Sequence, residues 1–202
     1  MNKLNNLVTG DETWVYFYDP KLKTQSAERS KKGAPPPKKF KRERSAGKVM
    51  VAVFFSRREI IALIELEKGL MVTSKWYTEV CLPEIFSGIH RGHPNTELRR
   101  WFLHHVSPYK SQLTSDFLAD SQNNIVEHAP YSPDLTPCDF YLFPKITKNV
   151  RGRRFETRND VLKAVREELD KLEKRDFEEC FDAWLRRLKK CIEVGGNYVE
   201  VE

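Results

Sequence analysis

The chain alternates short apolar runs with longer amphipathic stretches. Val15-Tyr16-Phe17-Tyr18 is aromatic and β-branched and is stopped by Asp19-Pro20. It predicts a strand, with Asp11 a few residues ahead of it or on its first turn. Val49 to Phe55 is almost wholly apolar, as in a strand covered on both faces. Ile60 to Leu66 is a second such run, and Arg57-Arg58 between the two reads as the turn of a hairpin. Ser74 is placed to cap a helix running from Lys75 toward Phe86, with Trp76, Val80 and Ile85 on its buried side. Gly88 to Pro94 then reads as a loop. Arg100 to His104 predicts a central strand, Leu113 to Ala119 a helix, and Asn124 to Glu127 a short strand. Towards the end, Val161, Val165, Leu169 and Leu172 make one stripe, and Phe177, Phe181, Trp184, Leu188 and Cys191 make another. Gly195-Gly196 closes the second helix. These stripes are core positions, and no chemistry is assigned to them.

The order is strand, hairpin, helix, strand, helix, strand, then helices. It predicts an α/β fold, a mixed sheet flanked by helices, with a long loop between the first two strands. The 202 residues suffice for one domain, 1–202, with its C-terminal helices over 157–193. Apolar runs are all shorter than the ~18 residues of a membrane span.

Charge changes the picture of the loop. Residues 21–48 hold eleven Lys/Arg against two Glu, a local net charge of +9, while the whole chain carries +6. Pro35-Pro36-Pro37 blocks regular structure within it. The segment reads as an extended basic loop, of the kind that meets polyanions. The four cysteines, Cys81, Cys138, Cys180 and Cys191, contain no C-x-x-C pair, which argues against a zinc ribbon or a disulfide framework. Free thiols fit an intracellular, reducing compartment.

Glycine-rich phosphate loops, G-x-S-x-G elbows and H-E-x-x-H helices are absent from the sequence. Carboxylates near strand ends are the candidates: Asp11 beside the first strand, Asp134 and Asp139 after the strand at 124–127. Carboxylates gathered at one sheet edge repel unless a cation lies between them, so such a cluster implies a divalent metal. A metal pair of this kind can drive phosphodiester cleavage.

Two longer stretches narrow this reading. Val8-Thr9-Gly10-Asp11-Glu12-Thr13-Trp14-Val15 resembles the first catalytic motif of the mariner-type transposases. The run Tyr131-Ser132-Pro133-Asp134-Leu135-Thr136-Pro137-Cys138-Asp139-Phe140-Tyr141-Leu142-Phe143 resembles the third. Ser45 to Met50 and the closing Trp184, Lys190-Cys191 and Gly196-Asn197-Tyr198 look like further landmarks, so the resemblance covers essentially the whole chain. It implies an RNase H-like fold, DNA cleavage and strand transfer in transposition, and a D-D-D triad holding two Mg²⁺ or Mn²⁺ ions. Asp11 would be the first Asp and Asp139 the third, both catalytic and metal-binding. Asp134 would shape the turn.

The second Asp is missing. At the end of the central strand the chain reads Leu103-His104-His105-Val106-Ser107-Pro108-Tyr109-Lys110, with neither Asp nor Asn. The interval from Val106 to Asp139 is shorter than the family spacing, as a short deletion leaving Val106 there would make it; alternatively His105 stands at the Asp position. Val cannot ligate, and a neutral imidazole suits hard Mg²⁺ poorly. The expectation is a weakened metal site and impaired catalysis, the alternative being a non-catalytic DNA-binding or dimerisation module.

The resemblance also makes the basic segment a clamp-like loop reaching toward DNA and a second subunit. Lys31, Lys32, Lys38, Lys39, Lys41, Arg42 and Arg44 would be phosphate contacts, joined by Arg151, Arg153 and Arg154. A homodimer on DNA in the nucleus is implied. The chain begins ten residues before Asp11, so the N-terminal helix-turn-helix region of that family is expected to be absent.

Overall fold

The computed structural model describes residues 3–22, 24–26, 43–105, 112–121 and 124–199. Lys31, Lys32, Lys38, Lys39, Lys41, Arg42, Pro35–Pro37 and Val106 lie outside them.

Five strands form one mixed sheet in the order β3-β2-β1-β4-β5. They are β1 (Leu7–Tyr16), β2 (Lys48–Ser56), β3 (Ile60–Glu65), β4 (Phe102–His105) and β5 (Asn124–Glu127). β1 runs antiparallel to β2 and β2 antiparallel to β3, whereas β1, β4 and β5 run parallel. The middle strand is therefore β1, and β4 lies one place nearer the edge.

β1 is also longer than the aromatic run suggests, and Asp11 lies within it rather than ahead of it. Gly, Asp and Glu are poor strand formers alone. Here continuous pairing of Val8 through Tyr16 with Ser56 through Lys48 holds them extended. Gly10 has a further reason to be glycine: a Cβ there would sit 2.0 Å from Cδ1 of its cross-strand partner Phe54.

Both sheet faces are covered, as the apolar β2 requires. On one face Val49, Val51, Val53 and Phe55 pack against the C-terminal helices; on the other Val8, Ala52 and Phe54 pack against the helix that follows the hairpin. That helix, α1, runs through Ser74–Trp76, Tyr77–Cys81 and Leu82–Gly92. Its cap is Thr73, not Ser74: Thr73 Oγ1 accepts the Trp76 amide at 3.1 Å. Residues 88–92 belong to the helix rather than a loop, and Gly88 lets it approach β3 (a Cβ would meet the Ile61 carbonyl oxygen at 2.2 Å).

The stretch Tyr77–Cys81 is one wide π-turn. Pro83 lacks the amide that an α-helix would use and its ring would crowd the preceding turn, and the wider turn relieves both. The extra residue shifts the helix phase, so Tyr77, Cys81 and Leu82 face the core and Val80 turns outward, against the simple periodic expectation.

Helix α2 spans Gln112–Asp120. Helix α3, which the periodicity did not announce, joins the π-turn Cys138–Leu142 to Phe143–Val150, with Pro144 in the same relation to its π-turn as Pro83. Helices α4 (Arg158–Leu169) and α5 (Lys174–Glu193) follow the two predicted stripes. Among the described residues no helix is long and apolar enough to cross a membrane.

Candidate functional site

β4 pairs with only the first part of β1, ending at Gly10 opposite His105. Asp11 is the next residue, just past the last described β1–β4 pair. Its cross-strand partner on the other side is Val53. Cys138 is fully buried with Sγ 3.9 Å from the Val53 carbonyl oxygen, which seats the π-turn of α3 over the middle of β2. Cys180 of α5 reaches the Pro137 carbonyl oxygen at 3.9 Å from behind. The turn that presents Asp139 is thus fastened beside Asp11 by two buried thiols, each a weak donor to a backbone carbonyl.

The electrostatics agree with this proximity. Loss of water around Asp11 and the charge of Glu12 push its carboxyl up to about 7. Asp139, open to solvent on one side, is pushed up to about 6 by partial desolvation and by the charge of Asp11. Glu12 is raised by burial, and the Glu12 amide donates to Asp11 Oδ1 at 2.8 Å. Because side chains alternate along a strand, Glu12 belongs to the opposite face, and its charge is felt by Tyr77 and Cys81 of α1. Asp11 and Asp139 are therefore a repelling pair, and one hard divalent cation between them would relieve the repulsion.

Among the described residues no group of three or more His, Cys, Asp or Glu is arranged to hold a metal ion. The backbone of His105 ends β4 next to Gly10, and Val106 follows outside the described residues.

Asp134 stands apart from the pair. It is buried, and its Oδ2 accepts the Val199 amide at 3.0 Å. Arg187 donates to the Asp134 carbonyl and to the Val199 carbonyl, each at 3.2 Å, and lies over the Phe140 ring. Its role as a shaper of the turn has this geometry behind it.

Arg44, near the end of the first basic segment, meets the second basic segment in space. Beyond β1, Phe17 and Tyr18 are bonded on one side to Gly47 and Ser45. On the other side Asp19 accepts the Gly152 amide, Phe17 accepts the Phe155 amide, and Tyr18 bridges Arg154. Asp19 holds Arg44 at 2.9 Å and Arg151 at 3.1 Å. Arg44 lies over Tyr16, Arg154 over Tyr18, Arg153 over Phe155 and Lys48 over Trp14. The result is a ribbon of cations ordered on aromatic rings, whose β1-side rings, Trp14 to Tyr18, lie roughly 10 to 23 Å along the chain from Asp11 at ~3.3 Å per residue. Sequence reading separated Arg44 from Arg151, Arg153 and Arg154, and missed the aromatic half of this ribbon.

No protein-family model matches the chain. It is 26% identical over 201 residues to the Mariner Mos1 transposase of Drosophila mauritiana, across 98% of this chain and 57% of that protein. It is 24% identical over 200 residues to the human histone-lysine N-methyltransferase SETMAR, across 98% of this chain and 29% of that protein. The chain thus spans little more than half the length of the first relative and less of the second. Among solved structures, a pre-cleavage Mos1 transpososome matches with a TM-score of 0.86 at 26% identity, over 98% of this chain and 58% of that one. The Mos1 catalytic domain alone matches at 0.77 and 23% identity over 98% of this chain and 85% of that one, which makes the fold RNase H-like, as the motifs implied.

Proposed function

We propose that the chain is a mariner-type transposase catalytic domain, a copy of the DNA-cleaving and strand-joining core in which catalysis is impaired. The observation that carries this reading is the Asp11–Asp139 pair just past the last described pairing of β1 with β4, with His105 or Val106 where a third carboxylate is required.

Solved Mos1 structures include complexes with Mn and with Mg, so the family uses divalent cations. In this chain Asp11 and Asp139 would hold Mg²⁺ or Mn²⁺. Such an ion, when bound, supplies charge neutralisation and lowers the pKa of a bound water. The chain's own residues then divide the work. Asp11 and Asp139 give two anionic oxygens from rigid elements, a strand and a buried helical turn. Glu12 keeps Asp11 in place through its amide and adds negative charge nearby. With one carboxylate fewer, the site has a lower net negative charge and grips a hard cation less tightly.

The test is calorimetry with Mn²⁺. The intact chain is expected to bind weakly, Asp11→Ala to abolish binding, and His105→Asp to strengthen it at least ~10-fold, about 1.4 kcal/mol. Incubation with Mn²⁺ and nicked or terminal-repeat DNA should give little cleavage. Cleavage at the rate of an intact relative would overturn the impairment.

A second reading, retention of DNA by a non-catalytic module, is favoured by the ribbon of Arg44, Arg151, Arg153 and Arg154. Several matched Mos1 structures are paired-end complexes, one of them with the left transposon end. In either reading we place the protein on DNA, in the nucleus and as a homodimer; sedimentation at micromolar concentration showing only monomer would remove the last of these.

A further inference from the structure

A line of polar groups, buried except at His128, joins the segments that carry the carboxylate pair. Thr9 and His104 are partners across β1 and β4, with Thr9 Oγ1 2.9 Å from His104 Nδ1. The His104 ring meets the His128 ring edge-on, centroids 5.1 Å apart at 83°. His128 Nε2 lies 3.3 Å from Thr136 Oγ1. The Trp184 ring of α5 backs the line 4.6 Å from His104. Thr9, His104 and Thr136 are 0%, 3% and 1% exposed, so the line is closed to bulk water along most of its length.

Its placement is the telling feature. Thr9 is two residues before Asp11, His104 is next to His105, and Thr136 is three residues before Asp139. The Thr136 carbonyl accepts the amides of Asp139 at 3.0 Å and Phe140 at 3.2 Å, so a shift of Thr136 shifts the turn that presents Asp139. The line therefore touches all three chain segments that build the site. Apolar side chains of the same shape would pack there without the penalty of unsatisfied polar atoms. What the two hydrogen bonds and the His104–His128 ring contact between them add is direction: each contact fixes one segment relative to the next, and apolar packing alone does so more loosely.

We propose that His104 is a positioning residue, and that the bridge Thr9–His104–His128–Thr136 holds the ends of β1 and β4 and the Asp139 turn at one spacing. The inference rests on the reading of Asp11 and Asp139 as the site. Its purpose is to transmit position from the end of β4 at His105 to Asp11 and Asp139.

Thr9→Val removes the hydroxyl at nearly constant volume, and Thr9→Ser restores it. In the full chain, Thr9→Val is expected to speed hydrogen exchange at the Asp139 and Phe140 amides about tenfold, with Thr9→Ser close to the parent and α4 unaffected. Unchanged exchange at Asp139 in a folded Thr9→Val protein overturns the bridge. If Thr9→Val does not fold, Thr136→Val against Thr136→Ser decides the matter in the other direction, with acceleration required at Gly10 and Asp11. Mn²⁺ titration of the same variants separates the two readings. Weaker binding in Thr9→Val that Thr9→Ser restores extends the bridge to the metal site. A parent chain that binds no Mn²⁺ removes the metal reading, while the exchange comparison still decides the bridge.

Discussion

Asp134 Oδ2 accepts the Val199 amide at 3.0 Å, which ties the turn of the third motif to the end of the chain after α5. Five residues later in the same motif, Asp139 does the reverse of bonding: its carboxyl is raised by desolvation and by Asp11. One stretch of sequence thus carries an aspartate that stabilises the fold and one that strains it.

The two should separate cleanly on mutation. Asp134→Ala leaves a buried amide without its acceptor, and a loss of about 1–3 kcal/mol is expected. Asp139→Ala should leave thermal stability unchanged or raise it slightly. Mn²⁺ binding should show the opposite order, kept in a folded Asp134→Ala and lost in Asp139→Ala. Calorimetry and thermal melts on both variants check this; equal destabilisation by the two would contradict it.

The raised carboxyls set a pH dependence. Asp11 has a folded-state value of about 7 against an ordinary 3.8, so the folded form prefers it protonated. That contribution to stability is fully present below about pH 4 and is lost as pH rises through 7. Metal-free protein should therefore melt lower at pH 8 than at pH 6 by more than Asp11→Asn does, and Asp11→Asn should be the more stable of the two at pH 8. Melts across this range in chelator provide the measurement. A parent and variant that run parallel from pH 4 to 8 would show that Asp11 is not destabilised by ionising.

Gly10→Ala places a Cβ 2.0 Å from the Phe54 ring in the middle of the sheet. A loss of about 1–3 kcal/mol is expected from overpacking. Because the clash is with one side chain, Phe54→Leu should recover part of it in the double variant, which a denaturant-melt cycle will measure.

The cation ribbon gives a salt-dependence prediction. Replacing Arg153 and Arg154 by alanine should weaken duplex DNA binding without regard to sequence. The slope of log affinity on log salt should fall by about one for each phosphate that these side chains no longer neutralise. Fluorescence anisotropy at several salt concentrations is sufficient. An unchanged slope would mean that these arginines serve the ribbon's internal stacking alone.

Much of the frame was legible in the sequence because it is set by strong periodic signals. β2, β3, α4 and α5 follow runs and stripes whose residues are buried where the pattern requires. The errors share a cause, which is that pairing and turn geometry are not local. β1 extends over Thr9-Gly10-Asp11-Glu12 because β2 pairs with it, a partner about forty residues away. Val80 faces outward because Pro83 imposes a wide turn that no simple periodicity includes. The turn before Pro144 hid α3 in the same way. Of the site, Asp11 and Asp139 were legible through motif rather than pattern. The buried bridge was not, because isolated Thr and His residues give no periodic signal until the strands bring them side by side.

The ribbon at Tyr18 and Ser45 has an architectural consequence. Tyr18 and Ser45 are bonded to each other through the Ser45 amide and the Ser45 hydroxyl, and Asp19, Gln25 and Arg44 beside them are bonded as well, Asp19 to Gly152 and Arg44, and Gln25 to Lys148. The two sides of residues 27–42 are thus held together by bonds that do not involve those residues. Doubling the length of a loop anchored in this way adds only about 0.6 kcal/mol of closure entropy. Residues 27–42, between these anchors, are therefore a natural place to splice in a reporter or a different segment while Asp19, Gln25 and Arg44 keep their contacts.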